Sequence, residues 1–190
     1  MNFSLYNTIT KAKERFVPLN RDNIRMYVCG PTVYDEPHIG NARPAIVFDL
    51  LYRLLRNIYG KSNVTYVRNI TDLDDKINNA ALSTHPDVDI NKAIHRVTSK
   101  VEKVFKDNMR ELNCLEPNEE PKATDHIKEM ISMITNLLNN NHAYEKEKHV
   151  YFSVSSYKKY GKLSNKNSDE LIAGSRVEVS KYKKNPLDFV

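Results

Sequence analysis

Thirteen residues, 29–41, hold a thiol, two glycines, a proline-guarded turn and a histidine beside a glycine: Cys29, Gly30, Pro31, Thr32, His38, Ile39, Gly40 and Asn41. They follow the apolar run Met26-Tyr27-Val28 and precede a long amphipathic stretch. A strand that hands over to a helix marks the carboxyl end of a sheet, where open α/β folds bind their ligands. The start of such a helix offers N–H groups without intrahelical partners, and a partial positive charge, to an anion such as a phosphate. The segment therefore reads as a nucleotide-phosphate site with a thiol placed beside it. Neither GxGxxG nor GxxxxGK[ST] occurs, so the two commonest nucleotide motifs are absent.

Each of these residues also has a plainer reading. Cys29 is either a small hydrophobe buried at a strand end or a ligand for a soft metal such as zinc. One thiolate does not complete such a site, and the chain has no CxxC. His38 and Asn41, three apart, share a helix face. They read as nucleotide contacts or as an ordinary capped helix start with a surface histidine. Gly40 leaves room for a flat base or ribose. Asp72, Asp74 and Asp75 cluster like a magnesium site, yet a helix dipole favours acidic residues in its first turn by roughly 0.3–1 kcal/mol each. Thr71 is placed to cap that helix and to face the same crevice as Cys29. His85, His95, His126, His142 and His149 show no ligand spacing and read as surface or core residues. Cys114 is expected to lie beneath a helix end.

Positioning these groups requires a small set of elements. Residues 26–29 form a short strand. Ile46, Val47, Leu50, Leu51, Leu54, Leu55 and Ile58 recur at helical spacing, which predicts a helix over 41–59 stopped by Gly60. Residues 64–68 form a second strand. Strand, helix and strand at this spacing make a βαβ unit with parallel strands and a right-handed crossover. Thr71-Asp72-Leu73-Asp74 fits a capping box that opens another helix. Ile94, Val97, Val101, Val104, Phe105 and Leu112 mark a longer one. Pro117 and Pro121 bracket an acidic linker, Asn118-Glu119-Glu120. Ile127, Met130, Ile131, Ile134, Leu137 and Leu138 form a further helix capped by Thr124. Residues 149–154 read as a strand, and 176–179 as a possible short one. The apolar last residues, 187–190, suggest an element that continues in a longer protein.

Bulk properties bound the class. The chain has 190 residues, 40% hydrophobic and 28% charged, as in an ordinary soluble globular protein. No apolar run approaches a membrane span, and the first residues do not read as a secretory signal. Two distant cysteines make no disulfide framework, so a reducing cytoplasm is the simplest setting. The formal charge is +5, and residues 158–184 hold eight Lys/Arg against three Asp/Glu, so the excess is local. With Tyr160 and Tyr182 inside it and Tyr157 just before it, that segment reads as a solvated face or as one that touches phosphates and bases.

Taken in order, several motifs resemble cysteinyl-tRNA synthetase. They are Tyr27-Val28-Cys29-Gly30-Pro31-Thr32-Val33-Tyr34-Asp35, His38-Ile39-Gly40-Asn41-Ala42-Arg43 and Tyr66-Val67-Arg68-Asn69-Ile70-Thr71-Asp72-Leu73-Asp74-Asp75-Lys76-Ile77. The likeness continues through Pro121-Lys122-Ala123-Thr124, Tyr160-Gly161-Lys162-Leu163-Ser164 and Lys184-Asn185-Pro186-Leu187-Asp188-Phe189, and so covers essentially the whole chain. The resemblance implies an α/β fold: a Rossmann-type parallel sheet, the first half of a class I synthetase catalytic domain over 1–117, and the start of a connective insertion over 118–190. It implies a ligase of translation that uses ATP, with Mg2+, to activate L-cysteine as cysteinyl-adenylate and then charges tRNA(Cys). Cys29 then matches a zinc ligand that takes the substrate thiolate. His38, Ile39, Gly40 and Asn41 match the HIGH signature that holds ATP, with His38 and Asn41 in the catalytic positions. Gly30, Thr32 and Thr71 match positions that contact cysteine.

Two departures stand out. Asn41 replaces the last histidine of the signature; asparagine still donates a hydrogen bond but carries no proton charge. The family's other zinc ligands, KMSKS loop, second half-sheet and anticodon-binding domain match nothing before Val190. The resemblance thus implies an amino-terminal fragment, inactive alone. Two other readings compete: a related ligase that joins cysteine to an amino sugar, and a truncated, non-catalytic paralogue acting as a binding module.

Overall fold

The computed structural model describes residues 3–165 and 181–190. In chain order its elements are β1 (Ser4–Asn7), β2 (Ala12–Arg15), β3 (Ile24–Val28), α1 (Ile39–Tyr59), β4 (Val64–Arg68), α2 (Asp75–Thr84), α3 (Ile90–Glu111), α4 (Ile127–Asn139), β5 (Ala143–Lys146) and β6 (His149–Phe152). They fall into two compact units: Pro18–His126, and Met1–Val17 with Ile127–Val190. No helix among the described residues is long and apolar enough to cross a membrane.

In the first unit β3 and β4 pair in parallel, from Ile24 opposite Val64 to Val28 opposite Arg68. Alternation decides which side is buried: Ile24, Met26 and Val28 point inward on β3, and Val64, Tyr66 and Arg68 on β4. The helix α1 connects them and stops at Gly60, whose φ of +96° disfavours a side chain and whose N–H bonds the Arg56 carbonyl. The βαβ unit is thus present as expected.

The buried face of α1 is not the expected one. Ala42, Ala45, Asp49, Tyr52 and Leu55 are buried, whereas Ile46, Val47, Phe48 and Leu50 are exposed. Small side chains at 42 and 45 let α1 approach Phe105 and Met109, with which they form one apolar cluster. Asp49 is buried because its carboxylate is used twice. It accepts from Arg53 Nε at 2.7 Å and from the Leu115 N–H at 2.8 Å.

Three local expectations are corrected. Thr71 does not cap α2; Asp74 does, accepting from the Lys76 N–H at 2.8 Å. Thr124 does not cap α4, because its hydroxyl donates to Asp72 at 2.6 Å. The stretch 118–123 is not a free linker. It takes the backbone groups of Tyr66, Arg68 and Ile70, bridging in parallel to Val67 and Ile70. Beyond it, α2 and α3 pack through Ile77, Ala81, Ala93, Val97 and Val101, and Val33 and Ile70 complete that core.

The second unit contains two antiparallel hairpins, β1 with β2 and β5 with β6. The first hairpin and strand β5 had no counterpart in the sequence reading. Its expected last helix is α4, with no buried residue. The apolar chain end docks on β6, where the Phe152 N–H bonds the Phe189 carbonyl at 2.7 Å. Asp188, almost fully buried, accepts from Tyr144 Oη, the Val154 N–H and the Asn185 N–H. The possible strand at 176–179 lies outside the described residues.

Candidate nucleotide and amino-acid site

The predicted residues converge on the carboxyl ends of β3 and β4. Cys29 follows Val28 directly and is exposed, not sealed among apolar neighbours. Gly30 donates its N–H to Asn69 Oδ1 at 2.8 Å. A β-carbon on Gly30 would stand 1.6 Å from the Asn69 carbonyl oxygen. The close approach that requires glycine here is thus made by the backbone following β4. Thr32 and Thr71 form a parallel bridge, with the Thr71 N–H on the Pro31 carbonyl at 3.0 Å and the Val33 N–H on the Thr71 carbonyl at 3.1 Å. Gly30, Thr32 and Thr71 are therefore brought together, and the fully buried Val33 anchors the loop beneath them.

His38 and Asn41 open α1 as a reciprocal cap. His38 Nδ1 accepts from the Gly40 N–H at 3.0 Å, and Asn41 Oδ1 accepts from the His38 N–H at 3.0 Å. The Asn41 N–H bonds the His38 carbonyl at 2.8 Å. The sequence assigned free helix N–H groups to a phosphate, yet those of Gly40 and Asn41 are engaged. With Nδ1 accepting, the imidazole proton sits on Nε2, and that N–H is the group able to donate to an anion. A β-carbon on Gly40 would meet His38 Cε1 at 2.7 Å, so glycine lets the ring fold back over its own helix.

Two adjoining cavities lie at this corner. One, about 120 Å³, is lined by Cys29, Gly30, Gly40, Pro44 and Arg68 among others. The other, about 70 Å³, is lined by Thr32, Tyr34, Asp35, Glu36 and His38 among others. Pro31, Asn41 and Phe105 border both. Closed small-molecule sites hold roughly 300–1,000 Å³. Neither cavity alone encloses a small molecule.

Metal ligation finds little here. Among the described residues no group of three or more His, Cys, Asp or Glu can hold an ion. Cys29 offers one thiolate, and Cys114 lines a different cavity, with Lys106 and Glu116. Burial, with the Asp49 carboxylate nearby, pushes the half-buried Cys114 thiol above its ordinary pKa. Asp72 holds Thr124 by both its N–H and its hydroxyl, and Asp74 caps α2. Two of the three clustered carboxylates, Asp72 and Asp74, are thus engaged locally, and the described residues do not fit a resident zinc or magnesium site.

The sequence motifs contain Arg68 without assigning it a task. It is 5% exposed, donates Nη2 to Glu120 at 2.8 Å and lays its guanidinium 5.0 Å from the Phe105 ring centroid. The period-two pattern of β4 was signal enough, since position 68 shares a face with Val64 and Tyr66. Glu120 also bonds Lys106, which reaches Glu102, and Glu102 holds Lys122. Pro44 was unremarked too; it has no N–H to give the Gly40 carbonyl.

This geometry can be set beside known proteins. Residues 15–190 match the family described as tRNA synthetases class I (C) catalytic domain. The chain belongs to that family. A cysteine–tRNA ligase of Rhizobium etli is 56% identical over 186 residues, 98% of this chain and 41% of the relative. A cysteine–tRNA ligase of Wolbachia sp. subsp. Drosophila simulans is 54% identical over 186 residues, again 98% of this chain and 39% of the relative. The chain thus spans about two fifths of the length of these relatives. A solved structure from Campylobacter jejuni, described as an arginyl tRNA synthetase, superposes with a TM-score of 0.57 at 14% identity. It covers 74% of this chain and 40% of that one, and the likeness is one of fold. The α/β class and the synthetase membership expected from the motifs are borne out.

Proposed function

We propose that this chain is the amino-terminal catalytic portion of a cysteine–tRNA ligase. The cysteine carboxylate attacks the α-phosphorus of ATP and releases pyrophosphate. The resulting cysteinyl-adenylate then passes its cysteinyl group to tRNA(Cys) and releases AMP. The observation that carries this reading is the 56% identity over nearly the whole chain to a relative of that name. The gathering of Gly30, Thr32 and Thr71 beside Cys29 and the start of α1 supports it.

In this reading Gly30, Thr32 and Thr71 receive the cysteine. His38, through Nε2–H, and Asn41, through its side-chain amide, meet the phosphates of ATP along with Ile39 and Gly40. Cys29 would offer one thiolate to a zinc, with no further ligand beside it among the described residues, so residues 1–190 alone are expected to hold zinc weakly and not to activate cysteine. Residues 1–117 serve as the first half of the catalytic domain, and 118–190 as the start of its insertion.

The test joins residues 1–190 to the carboxyl-terminal remainder of the Rhizobium etli relative. The chimera is expected to support cysteine-dependent pyrophosphate exchange and to charge tRNA(Cys), while the 190-residue chain does neither. A folded chimera without exchange refutes the proposal, as does robust exchange by residues 1–190 alone. Transfer to an amino sugar in place of tRNA would favour the related ligase.

A further inference from the structure

We infer that Asn69 is the positioning residue of the cysteine-binding corner, fixing the spacing of Gly30 and Thr71 and the polarity of the Thr71 hydroxyl. The inference deepens the proposed function and rests on it for the identity of the ligand. Its geometric basis is independent of that reading.

Asn69 stands immediately after β4 and is half-buried. Its Oδ1 accepts twice, from the Gly30 N–H at 2.8 Å and from Tyr27 Oη at 3.0 Å. Its Nδ2 donates to Thr71 Oγ1 at 3.1 Å. The amide orientation follows from chemistry. The Gly30 N–H is an obligate donor, so the atom facing it must be the oxygen. The nitrogen therefore faces Thr71, and Thr71 Oγ1 is held as an acceptor. One lone pair of that hydroxyl is committed, while its hydrogen and its other lone pair remain for a further partner. A substrate ammonium has only hydrogens to offer and needs such a lone pair.

The same residue sets the spacing. Its carbonyl oxygen lies against the Gly30 α-carbon, where a β-carbon would stand 1.6 Å away. One residue thus holds the end of β3 by side chain and by backbone contact, and reaches Thr71 two positions on. No other residue bonds the two proposed cysteine contacts, Gly30 and Thr71, through one side chain among the bonds described. Sequence pattern gave no sign of this, because an asparagine at a strand end ordinarily reads as turn chemistry.

The test combines a double-mutant cycle in the chimera with spectroscopy on the 190-residue protein. Asn69→Ala is expected to raise the KM for cysteine about tenfold, as loss of one or two hydrogen bonds implies, and to leave the KM for ATP within about twofold. In a Thr71→Val background the same substitution is expected to raise it less than about threefold, because Asn69 acts through that hydroxyl. Additive penalties, or equal rises in both KM values, overturn the inference. Asn69→Asp keeps the acceptor for Gly30 but loses the donor to Thr71. It should shift the cysteine KM alone. In the 190-residue protein the Gly30 amide should move upfield and exchange at least about tenfold faster in Asn69→Ala, but keep its position in Asn69→Asp. An unmoved Gly30 amide in Asn69→Ala overturns the inference whatever the activity. If the unsubstituted chimera shows no exchange, the function fails, and the amide measurement still decides whether Asn69 holds this corner.

Discussion

Replacing Gly30 by alanine separates two physical effects of opposite sign. Gly30 is not among the described glycines with positive φ, which are Gly60 and Gly161. On backbone entropy alone, Gly30→Ala should therefore stabilise the protein by about 0.4–1 kcal/mol. The structure demands the reverse. The new β-carbon would lie 1.6 Å from the Asn69 carbonyl oxygen and 2.8 Å from its carbon. Even close C···O contacts sit near 3.3 Å, so the ends of β3 and β4 must part by more than 1 Å, roughly. Forcing an extra carbon into packed backbone costs about 1–3 kcal/mol. Losing the Gly30–Asn69 hydrogen bond adds about 1 kcal/mol. A net destabilisation of about 2 kcal/mol corresponds to a fall in melting temperature of about 6 °C for a protein of this size. Thermal and urea denaturation followed by circular dichroism measure it. Gly40→Ala is the control, since its β-carbon meets only the His38 ring, a side chain that can turn aside at the cost of its capping bond. It should shift the melting temperature by less than about 4 °C. A Gly30→Ala protein as stable as the parent, or more so, would refute the close-approach argument.

Asp49→Ala should destabilise the protein by about 3 kcal/mol in urea unfolding, because it leaves the Leu115 N–H and Arg53 without their buried acceptor; Asp49→Asn should recover part of that. Burial acts to raise the Glu102 pKa, but its bonds to Lys106 and Lys122 prevail and hold it below the usual value. Its contribution to stability is therefore complete above the unfolded carboxyl pKa and fades as pH falls through the lower folded one. The stability gap between the parent and Glu102→Gln should be steady near neutrality and narrow below about pH 4, and a gap that widens in acid contradicts the lysine pairing. Alkylation by iodoacetamide near neutral pH should mark Cys29 at least about tenfold faster than Cys114, which burial shields and keeps protonated; peptide mass spectrometry reads the ratio, and equal rates would place both thiols in similar surroundings.

The βαβ frame was legible because its signals are local. Alternation fixes β3 and β4, and Gly60 ends α1 where a positive φ is needed. The βαβ pattern places Thr71 in the crevice beside Cys29, because parallel strands bring their carboxyl ends together; that Gly30 and Thr32 join it there was legible only through the motif resemblance. The buried face of α1 does not follow its large apolar residues alone: Leu55 is buried, but close helix approach selects Ala42 and Ala45, and Asp49 enters the interior on the strength of its two partners. Asn118-Glu119-Glu120 reads as a linker because its two glutamates and the prolines that bracket it, Pro117 and Pro121, are typical of one. The backbone bonds of 118–123 to Tyr66, Arg68 and Ile70 depend on long-range pairing that composition does not encode. Thr124 was assigned to the nearest helix, but the carboxylate that claims it is 52 positions away.

The lock at the head of α1 has two unequal halves. One is a ring whose Nδ1 takes the Gly40 N–H, so that Nε2 is the edge of the imidazole left to donate outward. The other is a carboxamide whose oxygen takes the His38 N–H, while its two amide hydrogens have no partner among the described bonds. Closing the helix end thus spends the acceptors of both side chains and leaves their donors over.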